Sequence, residues 1–181
     1  MSETTRAAGT AMAFDTAVGR CVIVWRADAV VRFRLPGHDP GTTVTPPTEI
    51  DWVHTVTGTR ATTLTRVRAH IDGDLDDLRS IPLDLTGVPE FARTVYTVTR
   101  AIPPGNTLSY GDVAGRSGAA GAAQAVGQIL GRNPIPLIIP CHRVLAADHT
   151  LHGFSAPGGT ETKRRLLAIE RTPGFGEPTL F

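Results

Sequence analysis

Cysteine is nearly absent from this chain: of 181 residues only Cys21 and Cys141 carry thiols. Two cysteines make no disulfide framework, and the expectation is two reduced thiols in a cytoplasmic protein. No C-x-x-C or H-E-x-x-H spacing occurs, so the sequence offers no metal site. No apolar run reaches the roughly 20 residues that a membrane-spanning helix needs. The opening MSETTRAAGTAMAF has no charged head followed by an apolar core, which argues against a secretory signal. Residues 1–11 read as a loose tail. A surplus of one charge is also missing, because the net charge is +1. Its distribution is uneven: residues 1–90 carry 9 Arg against 12 Asp and Glu, and residues 91–181 carry 9 Lys and Arg against 5 Asp and Glu. The acidic surplus sits in DGDLDD, Asp72 to Asp77, and the basic second half is where a polyanion would dock.

What is present divides into two halves. Residues 12–87 read as an α/β unit. Three β-rich runs, about 13–16, 20–25 and 29–35, are separated by gaps short enough for antiparallel hairpins. A Pro/Gly loop, PGHDPGTTVTPP, follows. Leu64, Val67 and Ile71 then mark one face of a helix. IPLDLTGVP is an extended connector at the boundary. Residues 88–171 have another character. Pro89 precedes a helix carrying Phe91, Val95 and Val98, and Ser109 with Asp112 has the spacing of a capping box. After a break at Ser117-Gly118, AAGAAQAVGQILGRN predicts an Ala/Gly-rich helix. Its apolar stripe is Ala123, Val126 and Leu130, and another face, small and polar, holds Ala120, Gln124, Gly127, Gln128 and Gly131. Short helix, glycine turn, second helix is the helix-turn-helix pattern, and equally that of an ordinary αα-hairpin. A face without bulk suits close helix packing or seating in a groove. Leu137-Ile138-Ile139 reads as buried extended chain. TETKRRLLAIE predicts a last helix capped by Thr160, and residues 172–181 form a Pro/Gly-rich tail.

Chemistry concentrates in NPIPLIIPCHRV, Asn133 to Val144. A thiolate is a strong nucleophile, but a free thiol is only a few per cent ionised at neutral pH and needs a base or a positive field. His142 and Arg143 directly follow Cys141. Glu170 is a carboxylate that could orient the imidazole as the third member of a triad. Adjacency alone does not place sulfur against imidazole, because side chains alternate along an extended backbone; a water could bridge them.

This motif resembles the active site of the O6-alkylguanine-DNA alkyltransferases, the methylated-DNA–[protein]-cysteine S-methyltransferases. Pro140 to Val144 carry its Pro-Cys-His-Arg-Val core. IPPGNTLSYGDVA, AVGQILGRNP and GFSAPGGTETKRRLLAIE extend the likeness from about Pro89 to Glu170. The resemblance implies a ribonuclease H-like α/β N-terminal domain, a short antiparallel sheet plus helix, before a mostly α winged helix-turn-helix domain. It implies a monomer that repairs double-stranded DNA in the cytoplasm, on the bacterial nucleoid when bound. Alkyl transfer from O6-alkylguanine, or O4-alkylthymine, to Cys141 would make each molecule act once, with no cofactor and no metal. By the same resemblance His142 is the base, Glu170 holds it, Tyr110 helps rotate the nucleotide and protonates the departing guanine, and Lys163 lies near the pocket. Gln124, Ala123, Gly127, Arg132, Arg143 and Tyr110 would meet DNA. Asn133, Pro136, Val144, Phe154, Ser155 and Gly158 would line the pocket.

Two features depart from the family pattern. The recognition helix normally reads Arg-Ala-Val-Gly, its arginine filling the space of the flipped base; here it is Gln124-Ala125-Val126-Gly127. Eight residues separate Phe154 from Lys163, more than is usual, and Phe154 carries no hydroxyl. Against transfer stand a non-catalytic lesion-binding protein of the same fold, a winged-helix regulator and a cysteine hydrolase. The retained Cys141 separates the first of these from a transferase.

Overall fold

A computed structural model describes residues 9–36, 50–151 and 158–176. Phe154 and Ser155, expected in the pocket, lie outside the described residues. Strands β1 (Gly9–Thr16), β2 (Gly19–Arg26), β3 (Ala29–Arg34) and β4 (Ile50–Trp52) form one sheet in the order β3-β2-β1-β4. Two-residue turns join the first three as antiparallel hairpins, as the short gaps predict. Ala27, at φ 49°, takes the left-handed conformation that such a turn requires. The sheet is nevertheless mixed, because β4 pairs with β1 in parallel. That strand has only three residues, too few to carry a period-2 signal. β1 begins at Gly9, inside the stretch expected to be a loose tail, because its backbone pairs with both β2 and β4.

Helix α1 (Gly58–Ile71) buries Thr63, Leu64, Val67, His70 and Ile71. Its apolar residues join Phe14, Cys21, Ile23, Trp25 and Phe33 in one cluster, and the Arg68 guanidinium lies 5.2 Å from the Phe14 ring centroid. Cys21 is a core residue, with its Sγ 3.7 Å from Thr16 Oγ1; burial pushes its thiol up to about 11. The acidic stretch after α1 is a folded loop. Arg66 grips Asp76 through Nε and Nη2, both at 2.6 Å, and Asp76 accepts the Leu78 amide at 2.8 Å.

The second half adds α2 (Glu90–Arg100), α3 (Tyr110–Arg116), α4 (Ala123–Gly131) and α5 (Gly159–Ile169), giving five α-helices among the described residues. Pro89 caps α2, and Val95 and Tyr96 are buried from it. The capping box on α3 is complete: Asp112 N–H donates to Ser109 Oγ at 3.0 Å, and Ser109 N–H donates to Asp112 Oδ2 at 2.9 Å. Helix α4 is shorter than its composition suggests. Gly118 and Gly121 both take positive φ, 77° and 87°, and hold residues 117–122 as a turn. Ala120 therefore lies before the helix. Val126 and Leu130 form the buried stripe, and Ala123 is only half-buried. Short parallel strands β5 (Leu108–Ser109) and β6 (Val144–Leu145) tie the start of α3 to the chain just after Cys141. Gly158 caps α5 at φ 79°, where its lack of a side chain leaves room for Thr162 Oγ1; Thr160, the expected cap, is inside the helix. The apolar cluster is continuous from Phe14 to Leu166, so both halves share one core.

Candidate active site

The run from Asn133 to Cys141 is folded rather than extended. Ile139 N–H donates to Ile135 O at 2.8 Å, and Leu137 sits at φ 73° in a tight buried turn. Ile135, Leu137, Ile138 and Ile139 are all at most 1% exposed. A side chain buried to that degree contributes about 1.5–3 kcal/mol, so the turn is firmly seated. Asn133 fixes it from outside: its Nδ2 donates to Ile139 O at 2.8 Å and its Oδ1 accepts Ile135 N–H at 3.0 Å. Sequence reasoning missed the turn because a three-residue apolar run has no period to distinguish the two conformations.

Cys141–Arg143 form a single 3₁₀ turn. The strict alternation of an extended chain does not apply there, and the three side chains fan into the interior. Cys141 is 6% exposed, His142 and Arg143 are 0%, and Glu170, the C-cap of α5, is 1%. Glu170 accepts from all sides. His142 Nε2 lies 2.9 Å from Oε1. Arg143 forks onto it through Nε to Oε2 at 2.9 Å and Nη2 to Oε1 at 2.7 Å. Arg143 Nη1 also donates to Ile102 O at 2.5 Å. The expectation that Arg143 meets DNA is therefore corrected: its guanidinium is consumed inside the protein by a bidentate carboxylate pair.

Protonation states follow from this geometry. Burial works to raise the Glu170 carboxyl, but His142, His70 and Arg143 outweigh it and hold it well below the usual carboxylate range. Glu170 is thus an acceptor, and His142 Nε2 must carry the proton between them. His142 Nδ1 is then the basic lone pair, and it has no hydrogen-bond partner among the described residues. Burial pushes the His142 imidazole down, with Glu170 opposing, so it rests neutral. Burial pushes the Cys141 thiol up; an Asn133 hydrogen bond and the Lys163 charge oppose this. A protonated thiol in the same turn as a neutral, oriented imidazole is a nucleophile with a base that one water can link to it.

Lys163 reaches inward from α5, fully buried, donating to Val144 O at 2.6 Å with its Nζ 5.7 Å from the Tyr110 ring centroid. Burial pushes it down and the Cys141 sulfur opposes. Tyr110 opens α3, and burial, then Cys141, pushes its phenol up. Its ring lies against Gly127 of α4: a Cβ added there would be 3.9 Å from Tyr110 Cε1, an ordinary contact. Packing inside the protein therefore does not require glycine at 127. Gln124, Gln128, Gly131 and Arg132 are exposed, whereas Pro136 is half-buried and Val144 fully buried. Thus the structure gathers Cys141, His142, Glu170, Lys163, Tyr110 and Asn133. It leaves Gln124 and Arg132 at the surface.

One site residue escaped the sequence reading altogether. His70, on α1, places Nε2 3.0 Å from Glu170 Oε1 across a separation of 100 residues. The signal was present: His70 is three residues after Val67 and shares the helical face of Leu64, Val67 and Ile71.

The family model described as "6-O-methylguanine DNA methyltransferase, DNA binding domain" matches residues 90–172. A methylated-DNA–protein-cysteine methyltransferase of Mycolicibacterium paratuberculosis is 45% identical over 113 residues, 62% of this chain and 66% of that protein. The one from Mycobacterium leprae is 39% identical over 135 residues, 75% of this chain and 79% of that protein. The crystal structure of Mycobacterium tuberculosis OGT in complex with DNA superimposes with a TM-score of 0.77 at 31% identity, covering 92% of this chain and 96% of that one. Among the described residues no helix is long and apolar enough to cross a membrane.

Proposed function

The chain belongs to the methylated-DNA–protein-cysteine methyltransferase family, and on that premise we propose that Cys141 takes an alkyl group directly from O6-alkylguanine in duplex DNA, each molecule acting once. The observation that carries this reading is the Cys141–His142–Glu170 arrangement, in which Glu170 fixes the imidazole and leaves Nδ1 free to accept a proton. His142 removes the thiol proton, through a bridging water. The sulfur attacks the alkyl carbon; the S–C bond forms as the C–O6 bond breaks. The electron pair passes into the guanine ring, and protonation there makes guanine a better leaving group. Tyr110, close to Lys163 and Gly127, is the acid in this reading. The product is a thioether on Cys141, so the protein is consumed as the second substrate and needs no cofactor.

The alkyl carbon is unreachable inside a stacked duplex, so the nucleotide must turn out of the helix. Helices α3 and α4 serve as a helix-turn-helix, with α4 entering the minor groove. The support is that Gly127 and Gly131 are not required by internal packing, so their smallness is available to an external surface. Helix α4 has no acidic residue, and Arg132 at its C-cap is exposed for a phosphate contact. Gly158, at the start of α5, belongs to the pocket loop. Mix the protein with duplex carrying a single O6-methylguanine and measure its intact mass: one methyl, mapped to the Cys141 peptide, is expected. A reduced, unmethylated Cys141 after prolonged excess of substrate would overturn the reading.

A second reading, lesion binding with weakened or altered transfer, rests on Gln124, exposed on α4 where the family carries arginine. Glutamine is shorter and uncharged, so it fills less of the space a flipped base leaves. Gln124→Arg is expected to tighten binding to methylated duplex by about ten-fold, the gain of one charged hydrogen-bonding contact. Fluorescence anisotropy at fixed salt measures this, and equal affinities would remove Gln124 as the cause of any weakness.

A further inference from the structure

We infer that His70, from the N-terminal half, is a positioning residue for the Cys141–His142–Glu170 relay, so that α1 and its acidic loop form part of the active site. His70 Nδ1 accepts the backbone N–H of Asp76 at 3.2 Å. An amide can only donate, so Nδ1 carries no proton and the ring hydrogen is on Nε2. That nitrogen faces Glu170 Oε1 at 3.0 Å and donates to it. The orientation is therefore set by the backbone of residues 72–78 rather than by chance packing. Asp76 itself is held by the Arg66 fork and by Leu78 N–H. A chain of contacts runs from Arg66 through Asp76 and His70 to Glu170, then to His142 beside Cys141.

The consequence is chemical. Glu170 Oε1 takes three donors, His70, His142 and Arg143, and they share its negative charge. Removing one leaves more of that charge to His142 and makes its imidazole more basic. The groups that face the relay are Tyr96, Tyr110, Arg143 and Lys163 from the second half and His70 from α1, with Asp76 behind His70. None of the others replaces the donor that His70 supplies. A base with a higher proton affinity stays protonated to higher pH, so the acid limb of the reaction shifts upward. The ring also loses one of the restraints on its carboxylate partner, so the rate at the plateau falls.

This inference rests on the alkyl-transfer reading, and the experiment separates the two. Single-turnover methyl transfer from O6-methylguanine duplex is followed against pH for the wild type, His70→Phe and His70→Gln. Glutamine Nε2 can reproduce the Nε2–H of histidine; phenylalanine keeps the ring but donates nothing. His70→Phe is expected to lower the rate constant about ten-fold, equivalent to about 1.4 kcal/mol, and to move the acid limb up, with DNA affinity unchanged. His70→Gln is expected to stay within about three-fold of wild type, with its original limb. Should the phenylalanine variant not fold, His70→Asn, too short to reach Glu170, takes its place. A merely structural role would lower the folded fraction and leave the pH profile of the active fraction in place. Wild-type profile and rate in the donor-free variant, or equal impairment in His70→Gln, would overturn the inference. In parallel, iodoacetamide labelling of the Cys141 peptide against pH reads the relay without DNA. If wild type accepts no methyl but the donor-free variant still shifts the labelling profile upward, the transfer reading falls and the His70 relay stands; no shift in labelling overturns the relay.

Discussion

Glu170→Leu is expected to cost about 3–5 kcal/mol of folding stability at neutral pH, the range for removing one partner of a buried ion pair. Leucine is of similar bulk, so the loss is not a cavity effect. It comes from what the carboxylate leaves behind: the Arg143 guanidinium, fully buried, would lose both arms of its fork and keep only Ile102 O. His70 and His142 would lose their acceptor at the same time. Against a total stability of about 5–15 kcal/mol for a domain of ordinary size, the loss approaches unfolding. The pH dependence gives the attribution. The Glu170 carboxyl is held below its ordinary value, so its contribution is complete above the unfolded carboxyl value of about 4.3 and disappears as pH falls through the lower folded value. Urea midpoints of wild type and Glu170→Leu should therefore differ most at neutral pH and converge in acid. A gap that stays constant down to strongly acid solution would show that packing, not charge, stabilises this position. Glu170→Gln should fall between the two, because it keeps the shape and one acceptor but not the charge.

How much of this was legible in advance depended on where the information is stored. The capping box on α3, the start of α2 after Pro89 and the two hairpins are local: the residues that cause them are within four positions of each other. The parallel pairing of β4 with β1, and the contact of His70 with Glu170, are long-range, and periodicity in a single stretch cannot register a partner 100 residues away. The adjacency of Cys141, His142 and Arg143 was plain, yet their division of labour was not. Arg143 looked like a cation for DNA until its guanidinium was found beneath the surface on Glu170. A charged residue inside an apolar stretch announces that it has a buried partner, but not which one. The same holds for Lys163, a member of a basic run by sequence and a buried donor to Val144 O in the fold. Composition places Gly121 inside the predicted helix, whereas its φ of 87° puts it in the turn before α4.

Cys141→Ala is expected to reduce methyl transfer by at least about four orders of magnitude, the scale of loss when an enzyme's nucleophile is removed. The fold should survive, because a buried thiol packs like a small apolar group and the turn around it is fixed by Asn133 and the isoleucines. Affinity for methylated duplex should also persist, since Gln124 and Arg132 on the exposed side of α4 are untouched. Cys141→Ser is the more demanding comparison. It replaces sulfur by an oxygen that ionises far less readily, in a site where burial already pushes the thiol up. If His142 and Glu170 alone could activate any hydroxyl, the serine variant would transfer methyl slowly. A loss as complete as that in alanine is expected instead, because the relay lowers the barrier to moving one proton and does not supply nucleophilicity. Single-turnover mass measurements on both variants decide the point. Methyl found at Cys21 or any other residue would mean that the acceptor has been misassigned. Burial disfavours Cys21 as an acceptor: its thiol is pushed up to about 11, and the negative charge of Asp15 adds to the rise. Of the two thiols in the chain, only Cys141 has an oriented imidazole within its own turn, and this is what the paired substitutions isolate.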